Sequence, residues 1–323
     1  MFTSIFSSVE VGLMFAIMAL GVYLSFRILD FPDLTVDGSF VTGAAVGAIL
    51  IVNSTNPFLA TALAFGAGFI AGTITGVLHT FGKINALLSG ILMMIALYSI
   101  NLRIMDAPNL SLLQHDHIFT KLNEAWGNTG IDAAMASFFT SIGLSDFIPK
   151  TWVIIIVMII FVLLIKVLLD YFLKTEVGLA LRAVGDNHLM ITSFSGNINF
   201  YKVFGLGLSN GLVALSGALI AQYNGFADVN GGIGMIVIGL ASVIIGEAIF
   251  GTKNIVRVTL AVIVGAIIYR VIVALALRVE FLETGDLKLI TAVIVILALV
   301  MPQVIAKQKE AKRKKQRRAR LAG

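Results

Sequence analysis

The fold class predicted by the chain is an all-α integral membrane protein, a polytopic bundle of about nine transmembrane helices. Three observations predict it. Hydrophobic residues fill 58% of the 323 positions and charged residues only 13%, too few charges to cover a soluble globule. Mean hydropathy is +0.98. Most of the sequence also parses into apolar runs of the roughly 20 residues that one helical crossing needs. Helices are the form that satisfies backbone polar groups inside hydrocarbon, which outweighs the weak soluble helix propensity of the many Gly and β-branched residues in these runs.

Crossings are predicted at 9–28, 38–53, 57–79, 84–104, 151–173, 201–222, 233–250, 254–277 and 286–305. They form one transmembrane domain over 1–305, followed by a basic tail, 306–323. The opening MFTSIFSSVEVGLMF has no basic n-region and runs straight into a full crossing, so it reads as a retained helix rather than a leader. Next, RILDFPDLTVDG packs three aspartates and Pro32 into a break too short for a domain. A broken helix near 28–39, beside a cavity, tolerates such backbone. Asp30 or Asp33 has a second reading there, neutralising Arg27 or capping the next helix.

Small residues crowd three crossings, as TGAAVGAIL at 42–50, FGAGFIAGTITG at 65–76 and GLGLSNGLVALSGAL at 205–219. Such spacing suits close helix packing in lipid. Between the crossings, the break from Met105 to Lys150 is acidic, whereas GLALRAVGDNHLMITSFSGNINFYK at 178–202 is mixed and polar. YNGFADVNGGIG at 223–234, with four glycines, suits an outer turn or a re-entrant loop.

Lys and Arg near the ends of crossings set the orientation. KQKEAKRKKQRRAR at 307–320 nets +8 against +5 for the whole chain, so the remainder carries −3. The tail therefore reads as a cytoplasmic anchor attracted to anionic lipid, not as a nucleic-acid site. Counting back puts Lys253, the segment with Lys174, Arg182 and Lys202, Lys83 and Arg27 on the same side as the tail. The acidic 105–150 break and the N-terminus fall outside.

Ionisable groups within crossings are costly and face protein or water. Lys166 and Asp170 are four apart and suited to pair on one helix face. Glu247 and Arg270 lie at different predicted depths, so each is expected to meet backbone or another helix rather than the other. Enzymatic and cofactor motifs are missing. GVLHTFGKI at 76–84 has the wrong spacing and no terminal hydroxyl for a phosphate loop, and GLGLSNG at 205–211 has the wrong spacing for a dinucleotide loop. His115-Asp116-His117 has no second ligand pair and reads as a solvated loop. With no cysteine, there is neither a disulfide framework nor a thiolate metal site.

TEVGLALRAVGDN at 175–187 and SFSGNIN at 193–199, followed by a Gly/Ala-rich crossing, resemble the cytoplasmic loop of permease subunits in the branched-chain amino-acid/ribose family of ABC importers. The resemblance extends to ILDFPDLTVDGS at 28–39 and LASVIIGEAIFG at 240–251, and is strongest to the amino-acid-type branch. It implies a homodimerising permease in the bacterial cytoplasmic membrane that takes substrate from an extracytoplasmic binding protein. It also implies a separate cytoplasmic ATPase subunit that uses ATP and Mg, while this chain binds no cofactor and catalyses no reaction. Residues 182–196 become the coupling loop, with Arg182, Ala183, Gly185, Asp186, Asn187, Ser195 and Gly196 the best-matching positions. Asp186 or Asn187 would cap a short docking helix there and Gly196 would stop it. The 28–39 stretch becomes the interrupted helix bordering the translocation route, with Asp30, Asp33, Thr35, Asp37 and Gly38 as candidates along it. One departure is the lack of an additional N-terminal crossing usual in ribose-type permeases. A small amino acid, including an aromatic one, is the substrate class implied; nucleosides and sugars stay open. The alternative reading is an ion- or proton-coupled secondary transporter, with Glu247, Arg270 and the aspartates at 30–37 carrying the coupling.

Overall fold

Small residues set how closely the helices approach. The computed structural model describes residues 2–127, 130, 151–186, 197–252 and 254–276, with isolated positions in 132–141 and 289–300. Helix α1, Phe2–Tyr23, continues into a π-helical turn, Leu24–Ile28, and is followed by α2, Thr35–Val52, α3, Pro57–Thr80, and α4, Ala86–Met105. Strand β1, Asn109–Ser111, and helix α5, Ile118–Gly127, follow. Then come α6, Val153–Phe172, α7, Glu176–Asp186, α8, Ile198–Asn224, β2, Phe226–Asp228, α9, Met235–Phe250, and α10, Ile255–Ala276.

Among the described residues, eight helical segments are long and apolar enough to cross a membrane. The ninth predicted crossing, 286–305, and the tail, 306–323, lie outside the described residues apart from isolated positions. The second crossing starts at Thr35 rather than residue 38 and the sixth runs three residues earlier and two later than 201–222, so the break near 28–39 contracts to Leu29–Leu34. Two three-residue strands, not expected from the sequence, pair antiparallel as Asn109 with Asp228 and Ser111 with Phe226.

Helix α8 occupies the centre, with most of its length buried. A Cβ on Gly68, Gly72 or Gly76 of α3 would overlap Asn210, Leu206 or Val203 of α8, so these two helices run antiparallel with backbones nearly touching. Gly43 of α2 meets the Ala214 carbonyl and Gly217 of α8 meets the Phe40 carbonyl. Hydroxyls fasten α1 to the same core: Ser209 Oγ donates to the Gly21 carbonyl at 2.7 Å and Ser216 Oγ to the Met14 carbonyl at 2.8 Å. With lipid on the outside there is no hydrophobic gain from bringing apolar helices together, so close packing and interhelical hydrogen bonds hold the bundle.

Consecutive crossings alternate in direction. One end of the bundle gathers Arg27, Lys174, Arg182 and Glu247 around a common cavity, with Lys202 against His79 nearby. The opposite end carries the β1–β2 pair and α5. The loops that charge counting assigns to opposite sides thus lie at opposite ends.

Gly66, two residues from Gly68 on α3, has no atom within 4 Å of a built Cβ. Gly68→Leu is expected to abolish a monodisperse, cooperatively unfolding protein in detergent, whereas Gly66→Leu leaves the melting profile within a degree or two of the parent. Size-exclusion chromatography and a thermal melt check both outcomes.

Candidate translocation and coupling sites

Two helices begin inside the bundle instead of at its ends, and each beginning is closed by a carboxylate. After Ile28 the chain leaves the helical path and runs from Leu29 to Leu34 alongside α8. Phe31 presses edge-on to the His79 ring with centroids 5.1 Å apart. His79 is itself held, with Nδ1 2.9 Å from the Ile84 carbonyl and Nε2 3.2 Å from Lys202 Nζ. Those partners fix the proton on Nδ1, which donates to the carbonyl, while Nε2 accepts from the ammonium. Asp33, fully buried, accepts the Thr35 backbone N–H at 2.9 Å and the Asn210 side-chain amide at 2.6 Å. Asn210 lies near the middle of the 27-residue α8, so α2 starts about half-way along its neighbour. Thr35 Oγ1 meets Thr75 Oγ1 of α3 at 2.8 Å and closes the network.

The second internal beginning is that of α9. From β2 the chain turns back along α2: Ala227 packs in the cluster holding Ala48 and Ile51, while Gly232 packs against Asp37 and Val41. This descent makes 226–234 a re-entrant segment, one of the two forms expected. Gly234 turns into the helix at φ 90°, a left-handed conformation open to glycine. Asp37, in the first turn of α2, then accepts the N–H groups of Gly234 at 2.9 Å and Ile236 at 2.8 Å. One aspartate therefore caps α2 and the next, a turn further on, caps α9. Helix N-termini leave N–H groups without intrahelical partners, and inside a membrane protein these must be met by protein.

Between α2, α4 and the re-entrant segment lies a cavity of about 570 Å³, walled by Asp37, Gly38, Met94, Tyr98, Asn101 and Ile233 among others. Asn101 of α4 is fully buried and donates its amide to the Gly38 carbonyl at 3.2 Å. Of the predicted route residues, Asp37 and Gly38 border this cavity. Asp33 and Thr35 sit in the buried network beneath it. Asp30 is exposed, with a left-handed φ of 51°, near the basic end.

At that end, α7 lies against the π-helical turn. Gly178, Leu181 and Val184 form its buried face, and a Cβ on Gly185 would overlap the Ile28 carbonyl. Arg182 and Asp186 border a cavity of about 700 Å³ shared with Arg27, Lys174, Glu247 and Asn254. Ala183 is half-buried on α7, while Asn187, Ser195 and Gly196 lie outside the described residues. The docking element expected to begin at 182 overlaps a helix that opens at Glu176, and the short helix expected after an Asp186 or Asn187 cap lies outside the described residues.

Arg27 pairs with Glu247 across α1 and α9, not with Asp30 or Asp33, because Asp33 is committed to the α2 cap. Arg270 lies over the Phe15 ring, 4.6 Å from its centroid, and Phe15 stacks on Phe40 of α2. Glu247 and Arg270 thus meet different partners on α1. Lys166 and Asp170 form the i,i+4 pair at 2.5 Å, and Thr259 Oγ1 of α10 donates to Asp170 at 2.7 Å. In the loop after β1, burial pushes the His117 imidazole below its ordinary pKa, partly opposed by Asp116, and His117 Nδ1 faces the Thr120 N–H at the start of α5. No group of three metal-ligating residues occurs among the described residues.

Sequence reasoning passed over Asn101 and Asn210. Asn210 sits in the quoted GLGLSNG run, and a polar amide in a buried crossing is itself a signal. Asn101 lies at the end of an ordinary apolar run, with nothing in its spacing to mark it.

A multi-pass bundle with two internally capped helix starts and a cavity beside them has the features suited to a membrane transport protein. Residues 4–301 match the family described as the branched-chain amino acid transport system, permease component, and the chain belongs to that family. It is 43% identical over 294 residues to a tyrosine transport system permease protein of Clostridioides difficile, covering 91% of this chain and 90% of that one. An uncharacterised protein of Rickettsia prowazekii is 34% identical over 300 residues, covering 91% and 95% of the two chains. A ribose import permease protein of Haemophilus influenzae is 26% identical over 268 residues, covering 82% and 72%. No solved structure matches.

Replacing Asp37 by Ala leaves two N–H groups at the start of α9 without their acceptor. The expected loss is about 1–3 kcal/mol of stability, read as a lower melting temperature in detergent. Asp30→Asn, which keeps a residue tolerant of the left-handed backbone at this exposed position, is expected to stay within about 0.5 kcal/mol of the parent.

Proposed function

We propose that the chain is the transmembrane subunit of an ATP-driven importer and moves a small amino acid inward by alternating access. The observation that carries this reading is the seat of Gly185 on the Ile28 carbonyl. It puts α7, the start of the coupling loop by resemblance, in backbone contact with the segment that leads into α2. A docked cytoplasmic ATPase, using ATP and Mg, would displace α7, and a contact with no side chain between the two backbones transmits that displacement with little slack. The pushed segment runs through Phe31 and Asp33 to the first turn of α2, where Asp37 and Gly38 border the cavity. This route would be loaded from an extracytoplasmic binding protein and completed by a second copy of the chain.

The substrate reading rests on the relative named for tyrosine transport, whose identity of 43% extends over nine-tenths of both chains. The cavity volume of about 570 Å³ and its Met, Tyr and Ile walls accommodate an aromatic amino acid. The charge distribution supports an orientation with the basic end and tail in the cytoplasm, and the bacterial relatives support a bacterial cytoplasmic membrane.

Ion coupling is less well supported, because the carboxylates it would use have structural partners. Asp33 and Asp37 cap helices and Glu247 pairs with Arg27. Removing residues 182–196 is expected to release a soluble ATPase from the purified membrane protein without unfolding it. Gly185→Leu is expected to cut ATP-dependent uptake at least tenfold at normal expression. Uptake that persists without any ATPase and follows a proton or sodium gradient overturns the proposal.

A further inference from the structure

The cavity at the basic end holds positive charge that the fold leaves unanswered. Its walls carry three cations, Arg27, Lys174 and Arg182, against two carboxylates, Asp186 and Glu247. Glu247 is taken by Arg27, and the other ion pair among the described residues joins Lys166 to Asp170, so neither Arg182 nor Lys174 has a carboxylate within pairing distance there. Even Asp186, four residues after Arg182 on α7 and spaced to pair with it, stays apart and exposed.

Tyr23 points the same way. It lines the cavity and is only 5% exposed, yet its hydroxyl makes no hydrogen bond among the described residues and is not one of the sealed polar atoms. Buried tyrosines ordinarily find a partner for that group. The little surface left to Tyr23 opens on the cavity, which gains a hydroxyl donor in addition to its two free cations.

Lys174 follows the end of α6 by two residues, and Leu164, Leu168 and Tyr171 make an exposed apolar strip along that helix at i, i+4, i+7 spacing. An acyl chain lying on the strip brings its headgroup to Lys174. By the charge count this is the cytoplasmic boundary of the membrane, the level at which basic pockets between helices meet anionic headgroups.

We infer that the cavity is a binding site for the phosphate of an anionic phospholipid of the cytoplasmic leaflet, with Arg182 and Lys174 meeting the phosphate oxygens, the Tyr23 hydroxyl donating to it and the acyl chains on the exposed strip of α6. A guanidinium grips phosphate through two parallel N–H bonds, whereas an ammonium acts as a point charge. Residues of α1, α7, α9 and α10 all wall the cavity, so a bound headgroup ties α7 to the π-helical turn and to both later helices. Occupancy does not depend on which solute is carried.

The purified full-length protein, titrated with lipid in detergent and followed by native mass spectrometry, is expected to retain phosphatidylglycerol about tenfold more tightly than phosphatidylcholine, whose headgroup is neutral overall. Arg182→Gln is expected to weaken that binding about tenfold, Lys174→Gln about fivefold and Tyr23→Phe about threefold, while Arg182→Lys recovers part of the loss. The basic tail is present in every variant and cancels. Arg103→Gln removes an exposed charge at the other end of the bundle and is expected to change nothing. Melting temperatures without lipid check folding, and Lys174, being exposed, keeps the test open if Arg182→Gln does not fold. The chain has no cysteine, so Thr252→Cys, exposed on the cavity wall, supplies a single thiol whose alkylation by N-ethylmaleimide phosphatidylglycerol is expected to slow about threefold. Binding unchanged by all three substitutions overturns the inference, as does an equal loss in Arg103→Gln or a thiol that the lipid leaves unprotected. Inorganic phosphate that binds as tightly as the lipid, and through Arg182, overturns the lipid assignment in favour of a soluble phosphate. No binding of either, with loss of a co-purifying ATPase in Lys174→Gln, gives the cations to acidic side chains of a protein partner and overturns it too.

Discussion

A helix that starts inside a membrane protein exposes N–H groups where no water can reach them, and the rest of this structure depends on how two such starts are closed. Asp33 accepts from Thr35 and Asn210, and Asp37 accepts from Gly234 and Ile236. Each carboxylate also meets the positive end of a helix dipole, equivalent to about half a unit charge. The arrangement lets the chain carry non-helical backbone at Leu29–Leu34 and at 226–234 without leaving it unsatisfied. It also joins α2 to α9, since the Asp37 cap belongs to one helix and serves the other.

From that junction, α9 runs 16 residues, about 24 Å at the usual rise, to the basic end, where Glu247 meets Arg27. Along the way Gly239 packs on Val22 and Gly246 on the Ala261 carbonyl, so α9 is held tightly against α1 and α10. The π-helical turn that carries Arg27 also receives Gly185 of α7 through Ile28. One short stretch of chain is therefore in contact with α7, with the far end of α9 and with the lead-in to α2. Tightly packed contacts of this kind move as units, because interdigitated interiors deform little before they rearrange.

The bundle was legible in the sequence because its signal is long and repeated: runs of about 20 apolar residues, glycines in register and Lys/Arg at alternate breaks. Pro32 and three aspartates marked the first interruption for the same reason, since nothing in an ordinary crossing requires them. Assigning their roles was harder. Asp33 and Asp37 look alike as letters, yet one bonds its own helix and the other bonds a helix two hundred residues away. That second pairing is set by the re-entrant path of 226–234, which composition leaves open between a turn and a descent. The Arg27–Glu247 pair was hidden in the same way, because it depends on α9 ending beside α1. The two short strands escaped notice because three residues are too few for an alternation to register. The segment with Lys174 and Arg182 could be placed at the basic end by charge, but the coupling role proposed for it rests on resemblance alone.

Capping has an electrostatic consequence for what the cavity can hold. Two uncapped helix N-termini beside it would make an anion-binding site, as helix starts commonly do. Here both are already occupied by aspartates, with Asp37 on the cavity wall and Asp33 one turn away. Each positive helix end offsets about half of the charge of the carboxylate that closes it, so neither start is left free to hold an anion. Such a wall gives no strong grip to a carboxylate or to a phosphate, which agrees with a permease whose solute must also leave. A binding constellation with a fixed net charge would hold an oppositely charged group by several kcal/mol at low effective dielectric, and release would then limit transport. Non-directional contact with apolar walls such as Met94, Ile95 and Ile233 fits the opposite requirement, that the solute be held without being trapped.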